Sequence, residues 1–290
     1  MDFAARLCRS PIAHDPEAGA EAAAAFADLG ADLAALIGAA AGCSPYLAGL
    51  MSREGAWLRE ALAAPPESVV GGVLAPLPGL DLSELGTALR VAKRRVALYA
   101  ALADLGGVWP LEAVTGALTA LADAACDSAL CALVADEIRR GRIPGATEAD
   151  AATAAGMVVI AMGKMGAGEL NYSSDIDLVC LFDDTRFDPA DIPEARAAFV
   201  KVTRRMVALV SDITEEGYVF RTDLRLRPDA AVTPVCLPIS AAETYYESMG
   251  RTWERAAYIK ARPCAGDLGA GARFLRALGP FVWRRHRAAP

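Results

Sequence analysis

Histidine is almost missing from this chain. Only His14 and His286 occur in 290 residues, near opposite ends, which argues against a histidine-based catalytic triad or a histidine-rich metal site. Cysteine is present but unorganised. Cys8, Cys43, Cys126, Cys131, Cys180, Cys236 and Cys264 are odd in number and include no C-x-x-C pair, a pattern of reduced thiols in a cytoplasmic protein rather than of disulfides or zinc. A membrane-spanning run is also missing from the N-terminal region, because its most apolar stretch, residues 20–41, is broken by Glu21, Asp28 and Asp32. Asp2, Arg6 and Arg9 interrupt any secretory leader. Excess positive charge is lacking as well: the formal net charge is −7, so neither generic nucleic-acid binding nor a membrane partner is expected.

What remains is a globular composition, 54% hydrophobic and 22% charged, with length for one large domain or two modest ones. Residues 16–140 read as helical. Ser44 and Pro45 have the form of an N-cap and first-turn proline before a stripe of Leu47, Leu50, Met51, Trp57, Leu58 and Leu62, which Pro65 and Pro66 end. A second helix opens at Ser83 and Glu84 and carries Leu85, Leu89, Ala92, Val96, Tyr99 and Ala103 at helical spacing. A third starts from Pro110. The run Lys93, Arg94, Arg95 reads as a solvated helix face. Residues 141–156 are small, polar and broken by Pro and Gly, which places a boundary there: a helical region over 1–150, then a second domain over 151–290.

The chemistry concentrates at 158–184, VVIAMGKMGAGELNYSSDIDLVCLFDD. An apolar run enters a glycine-rich loop (Gly163, Lys164, Met165, Gly166, Ala167, Gly168), and a polar segment with Ser173 and Ser174 leads into Asp175-Ile176-Asp177 and a second apolar run. That run reads as a strand, on which Asp175 and Asp177 share a face. Two carboxylates side by side repel unless a cation sits between them. The loop fits neither the Walker A pattern nor the Rossmann fingerprint, which argues against a P-loop ATPase and a dinucleotide oxidoreductase.

A helix follows over 194–212, with Phe199, Val202, Met206, Leu209 and Ile213 on one face. Residues 218–228, YVFRTDLRLRP, then alternate as a strand with Arg221, Asp223, Arg225 and Arg227 on one side. A lone acid among three arginines suits a third metal carboxylate better than a charged sheet edge. Ser240 and Glu243 have capping-box spacing, and Glu254 and Arg255 read as helix-face ion-pair partners. From residue 251 onward Arg251, Arg255, Lys260, Arg262, Arg273, Arg276, Arg284, Arg285 and Arg287 face only Glu254 and Asp267, a locally basic region suited to phosphate.

Asp175, Asp177 and Asp223 on neighbouring strands can hold hard divalent cations, Mg²⁺ or Mn²⁺, through oxygen. Two such cations clamp the attacking and leaving oxygens of a phosphoryl displacement. Gly163 and Gly166 allow backbone approach to phosphate. Lys164, Arg221, Arg225, Arg227 and Lys260 can neutralise its charge. In combination these features point to metal-dependent nucleotidyl transfer.

The ordered segments GKMG (163–166), NYSSDIDL (171–178), FRTDLRLRP (220–228) and GRTWER (250–255) resemble the glutamine synthetase adenylyltransferase / adenylyl-removing enzyme family. That family lies within the polymerase-beta-like nucleotidyltransferases, and its members carry two catalytic halves in tandem. The resemblance covers nearly the whole chain. It implies an α+β fold, a small mixed sheet with helices behind a helical N-terminal region. The NYSSDIDL form is similar to the N-terminal, adenylyl-removing half, so the implied reaction is phosphorolysis of an adenylylated tyrosine on glutamine synthetase, with phosphate consumed and ADP released. Asp175, Asp177 and Asp223 would then be metal ligands, and Ser173 and Ser174 would contact phosphate or shape the turn. The resemblance also implies a cytoplasmic, nitrogen-regulating role and a nitrogen-signalling protein as a second partner. Two alternatives stay open: ATP-dependent adenylylation of the same target, and an inactive fragment acting as a binding module. Against the family's pattern the chain stops short of further helices and of the second half, so it reads as a truncated or split form.

Overall fold

The computed structural model describes residues 2–283; Arg284, Arg285, His286 and Arg287 lie outside the described residues. Two compact units form. One comprises the chain up to Pro76 with Arg90–Leu121, the other Leu77–Leu89 with the chain from Ala122 onward.

The first unit is helical. Asp15 caps α1 (Pro16–Ala25) by accepting from the N–H groups of Glu17 and Ala18. After α2 (Ala31–Cys43), Ser44 caps α3 (Pro45–Ala63) through the Leu47 N–H, the Ser-Pro start expected at a helix N-terminus. Pro66 does more than end α3: it opens α4 (Pro66–Leu74). The long helices α5 (Leu82–Leu105) and α6 (Leu111–Arg139) follow, of which residues 90–105 and 111–121 belong to this unit and the remainder to the second. On α5 the predicted stripe of Leu85, Leu89, Ala92, Val96, Tyr99 and Ala103 is buried throughout. The solvated face expected at residues 93–95 is corrected. Arg94 and Arg95 each donate at 2.9 Å to Glu54, a buried acid on α3, and burial lowers the Lys93 ammonium to about 8. Arg94 and Arg95 thus neutralise an interior carboxylate. By length and composition α6 could cross a membrane, but 67% of its most apolar stretch is buried inside the fold, as in a core helix.

The second unit is α+β. A 3₁₀ stretch, Glu148–Gly156, leads into β1 (Met157–Ala161), and a single helical turn, α7 (Gly163–Gly166), precedes β2 (Ile176–Phe182). Next come α8 (Ile192–Ser211), β3 (Thr222–Asp223), β4 (Cys236–Pro238), α9 (Ile239–Ser248), α10 (Thr252–Tyr258), β5 (Arg262–Gly266), α11 (Leu268–Ala277) and α12 (Gly279–Val282). β1 pairs antiparallel with β2 and with β5, while the far edge of β2 is shared by β3 and β4, both parallel to it. The strand order is therefore that of a small mixed sheet.

Both sheet faces are covered, which is why β1 and β2 read as nearly continuous apolar runs. Val158, Ile160, Val179 and Leu181 pack on Ala242, Tyr246, Tyr258 and Phe274 from α9, α10 and α11. On the other face Phe182 meets Phe199 of α8, with ring centroids 5.0 Å apart. The helix predicted over 194–212 buries Phe199, Val202 and Met206 as expected, whereas Ile213 lies beyond its end and is exposed. Ser240 does not cap α9; it sits inside the helix, and its N–H and hydroxyl both donate to Asp184.

Glu137 of α6 ties this unit together. It is fully buried and accepts from Lys201 and Arg205 of α8 and from Arg142, at 2.8–3.3 Å. Burial opposes its ionisation, but the cations outweigh burial and hold its carboxyl below the usual range. Its folded-state value is depressed, so its contribution is complete above the ordinary glutamate value of about 4.3 and is lost as pH falls through the lower folded value. Glu137→Gln is expected to cost about 2 kcal/mol of stability at pH 7, read from urea midpoints, with the difference from the parent shrinking in acid.

Candidate active site

The site is built where β2 begins. On β2 side chains alternate, so Ile176 and Leu178 face α8 while Asp177 shares the face of Val179 and Leu181. The parallel pairing of β2 with β3 sets Ile176 opposite Thr222 and Asp177 directly opposite Asp223. Asp175 immediately precedes the strand. Asp177 and Asp223 are thus opposed at one sheet edge, with Asp175 one residue before the strand.

The strand predicted over 218–228 is shorter than expected. Only Thr222 and Asp223 pair, and the chain then turns. Asp223 drives that turn by accepting the Arg225 backbone N–H at 2.8 Å, an Asx-type turn that competes with strand continuation. The three arginines therefore do not line one strand face. Arg221 donates to Asp175 and, at 2.9 Å, to the Ser173 carbonyl. Arg225 grips both oxygens of Asp223. Arg227 is drawn elsewhere: its guanidinium bonds the carbonyls of Leu224, Ala230, Thr233 and Pro234, so it holds the 224–234 loop rather than pointing at the acids.

The glycine loop winds into α7 instead of remaining open. Gly163 has φ +54°, and a Cβ there would stand 3.2 Å from Asp177 Oδ2, so the loop backbone is pressed against the central acid. Gly166 serves packing: its missing Cβ would fall 2.1 Å from the Lys260 carbonyl. Lys164 is exposed beside them. Lys260 pairs with Glu169 at 2.8 Å, and Arg262 with Asp123 at 2.8 Å, so neither points freely towards the aspartates. Arg273, also in the predicted basic region, pairs with Asp183. Ser173 is exposed, and the N–H of half-buried Ser174 closes a turn on the Asn171 carbonyl.

Electrostatic load falls on Asp177. Burial, then the charges of Asp223 and Asp175, raise its carboxyl above the ordinary range despite Arg225. Asp223 moves the opposite way, lowered chiefly by its bonds from the Arg225 side chain. In kind, the donors fit a hard divalent cation: all are carboxylate oxygens, and two face each other across adjacent strands. They are not closed into a cage. Among the described residues no three His, Cys, Asp or Glu side chains gather as a metal-holding group; Asp175 and Asp223 are each bonded by an arginine.

Reading the sequence missed Glu254. It does not pair along the helix with Arg255; it is buried, accepts the Arg251 N–H at 2.7 Å and the Tyr245 hydroxyl at 3.1 Å, and so caps α10. The three-residue spacing of Arg251 and Glu254 was the available signal. Asp127 was also missed. It accepts the Gly266 N–H at 2.9 Å and pins β5 to α6.

A small mixed sheet, an acid pair across parallel strands and a tight glycine turn against the central acid mark a nucleotidyltransferase domain. A model of the glutamate-ammonia ligase adenylyltransferase family matches residues 34–277. The chain belongs to that family. It is 49% identical to the bifunctional glutamine synthetase adenylyltransferase/adenylyl-removing enzyme of Xanthobacter autotrophicus, across 83% of this chain and 25% of that protein. The protein of the same description from Caulobacter vibrioides is 44% identical, across 84% of this chain and 25% of its own length. One from Rhodopseudomonas palustris is 43% identical across 98% and 31%. The chain thus spans a quarter to a third of these curated relatives.

Because the folded-state value of Asp177 is raised, the penalty of its charge sets in as pH rises above the usual aspartate value of about 3.9 and is complete above the raised one. Asp177→Asn removes it. The variant is expected to be more stable than the parent at pH 7 by a few tenths to about 1 kcal/mol, solvent screening keeping the gain small. Equal stabilities in paired thermal melts at pH 7 and pH 4 would contradict the electrostatic account.

Proposed function

We propose that this chain is the adenylyl-removing type of nucleotidyltransferase domain, acting on adenylylated glutamine synthetase with phosphate as acceptor. The observation that carries this reading is the opposition of Asp177 and Asp223 across parallel strands, with Gly163 against Asp177 and Asp175 at the same edge. The family membership, the printed activities of the relatives and the NYSSDIDL segment support it.

Asp175, Asp177 and Asp223 would hold Mg²⁺ or Mn²⁺. Bound there, the cations would supply charge neutralisation and alignment of the phosphoryl oxygens. In the reaction an oxygen of inorganic phosphate forms a bond to the phosphorus of the tyrosine-linked AMP. The bond from that phosphorus to the tyrosine oxygen breaks, the products are ADP and free tyrosine, and the phosphate proton ends on the phenol. No covalent enzyme intermediate is required. The chain's own part is positioning and electrostatics. Arg225 stands beside the acids as a cation for the attacking phosphate, Lys164 is exposed at the glycine turn for the same purpose, and Arg221 holds Asp175 in place. Arg227, tied to four carbonyls, shapes the loop that carries Asp223. Lys260 acts through the backbone, packing on Gly166, more than through its ammonium. Seven free cysteines suit a cytoplasmic setting. A nitrogen-signalling regulator remains the second partner proposed.

Incubation of the chain with adenylylated glutamine synthetase, phosphate and Mg²⁺ is expected to release ADP. Asp177→Asn and Asp223→Asn should each reduce the rate by a thousandfold or more, the scale of removing a group central to transition-state charge. Transfer of labelled AMP from ATP onto the target, without ADP release from the adenylylated form, would replace this reading by the reverse activity. Retention of target binding with no turnover in either direction would replace it by a binding module.

A further inference from the structure

The two arginine–aspartate pairs at the site are built differently. Arg221 has two anchors, the Asp175 carboxylate and the Ser173 carbonyl. The Arg225 guanidinium is bonded to Asp223, and its side chain is 85% exposed. Asp223 in turn has both oxygens engaged by that guanidinium. A carboxylate occupied in this way cannot also offer the same lone pairs to a cation, so the two are competitors. The Asp223 carboxylate does not need Arg225's side chain to stay in place, since the Arg225 backbone N–H also holds Oδ1 at 2.8 Å.

A guanidinium fork matches a phosphate as well as it matches a carboxylate, and a phosphate dianion carries more charge. We infer that Arg225 is an exchangeable counter-ion: a phosphate group draws it off Asp223, and the carboxylate so released becomes available to the divalent cation. Phosphate and cation then bind cooperatively through one exposed side chain. Arg221, anchored to the backbone, stays in place and holds Asp175. This inference rests on the reading of the three aspartates as a cation site. It adds an order to that site: the third ligand is delivered by arrival of the substrate. By linkage the effect is reciprocal, so the cation must tighten phosphate by the same factor that phosphate tightens the cation.

The test is Mn²⁺ binding to the full chain without turnover, followed by loss of the free-ion EPR signal, with and without inorganic phosphate. Asp177→Asn serves as the blank for cation–phosphate association in solution. The parent is expected to bind Mn²⁺ about three- to fivefold more tightly with phosphate, the range set by an exposed ion pair. Arg225→Gln should bind Mn²⁺ more tightly than the parent in phosphate-free buffer and lose most of the phosphate effect. Arg221→Gln removes the same charge and should keep the phosphate effect, which separates exchange from general electrostatics. Equal phosphate effects in the parent and Arg225→Gln would overturn the exchange while leaving the cation site intact. Mn²⁺ binding that is absent from the parent, or unchanged in Asp177→Asn, would overturn the cation site and the exchange together.

Discussion

Two carboxylates held opposite each other on adjacent strands are the constraint to which the catalytic region answers. The parallel register of β2 and β3 sets Asp177 opposite Asp223, and the partial burial of Asp177 weakens the water screening between them. A fold that pays this cost must recover it elsewhere. β1 throughout and β2 from Leu178 onward are apolar, with both sheet faces covered, so the acids stand at the rim of a covered sheet. Glu137 ties α6 to α8 behind one face, and Asp127 fixes β5 from α6. Much of the second unit can be understood as bracing for one repulsive pair.

The bracing extends to backbone that carries no charge. Gly163 and Gly166 differ in purpose although they lie one helical turn apart. Gly163 lets the chain reverse against the Asp177 carboxylate, whereas Gly166 lets α7 lie on the Lys260 carbonyl. A side chain at the first would crowd the central acid, and at the second it would push α7 off the strand that carries it. The Asx turn at Asp223 works similarly. By ending β3 after two residues it stops the ladder where the acids stand, so β4 can take the rest of the same β2 edge.

Much of this was legible in the residues. The apolar runs flanking a glycine turn, the Asp-x-Asp spacing and the lone acid in a later segment led to a sheet with three acids at one end; the structure sets Asp177 opposite Asp223 with Asp175 just before the strand, but does not gather the three side chains into one group. What was not legible was the direction of side chains beyond the paired residues. Period-two alternation put Arg225 and Arg227 on one face with Asp223, but a carboxylate can outcompete the ladder for the next N–H, and here it does. Lys93, Arg94 and Arg95 misled for a related reason. A basic run on a helix is solvated unless a buried acid lies on another helix, and nothing local to residues 93–95 reports that Glu54 is interior. Glu254 shows the converse: a charge read as surface was buried because it caps the helix that carries it.

The same competition, between arginine, backbone N–H and cation for a few carboxylate oxygens, unites the local findings. Arg221 bonds a backbone acceptor, the Ser173 carbonyl, as well as its acid, whereas the Arg225 guanidinium is bonded to both oxygens of its acid. The carbonyl bond is enough to make one arginine part of the scaffold and leave the other dependent on a carboxylate that the chemistry also needs. Arg227, four residues from Asp223, completes the series, since its whole guanidinium is spent on loop carbonyls. Along seven residues the chain thus places a fixed cation, an exchangeable one and a structural one. What distinguishes them is how many backbone acceptors each can reach from where the Asx turn leaves it. The chemistry of the rim is therefore set as much by carbonyl geometry as by the charges themselves.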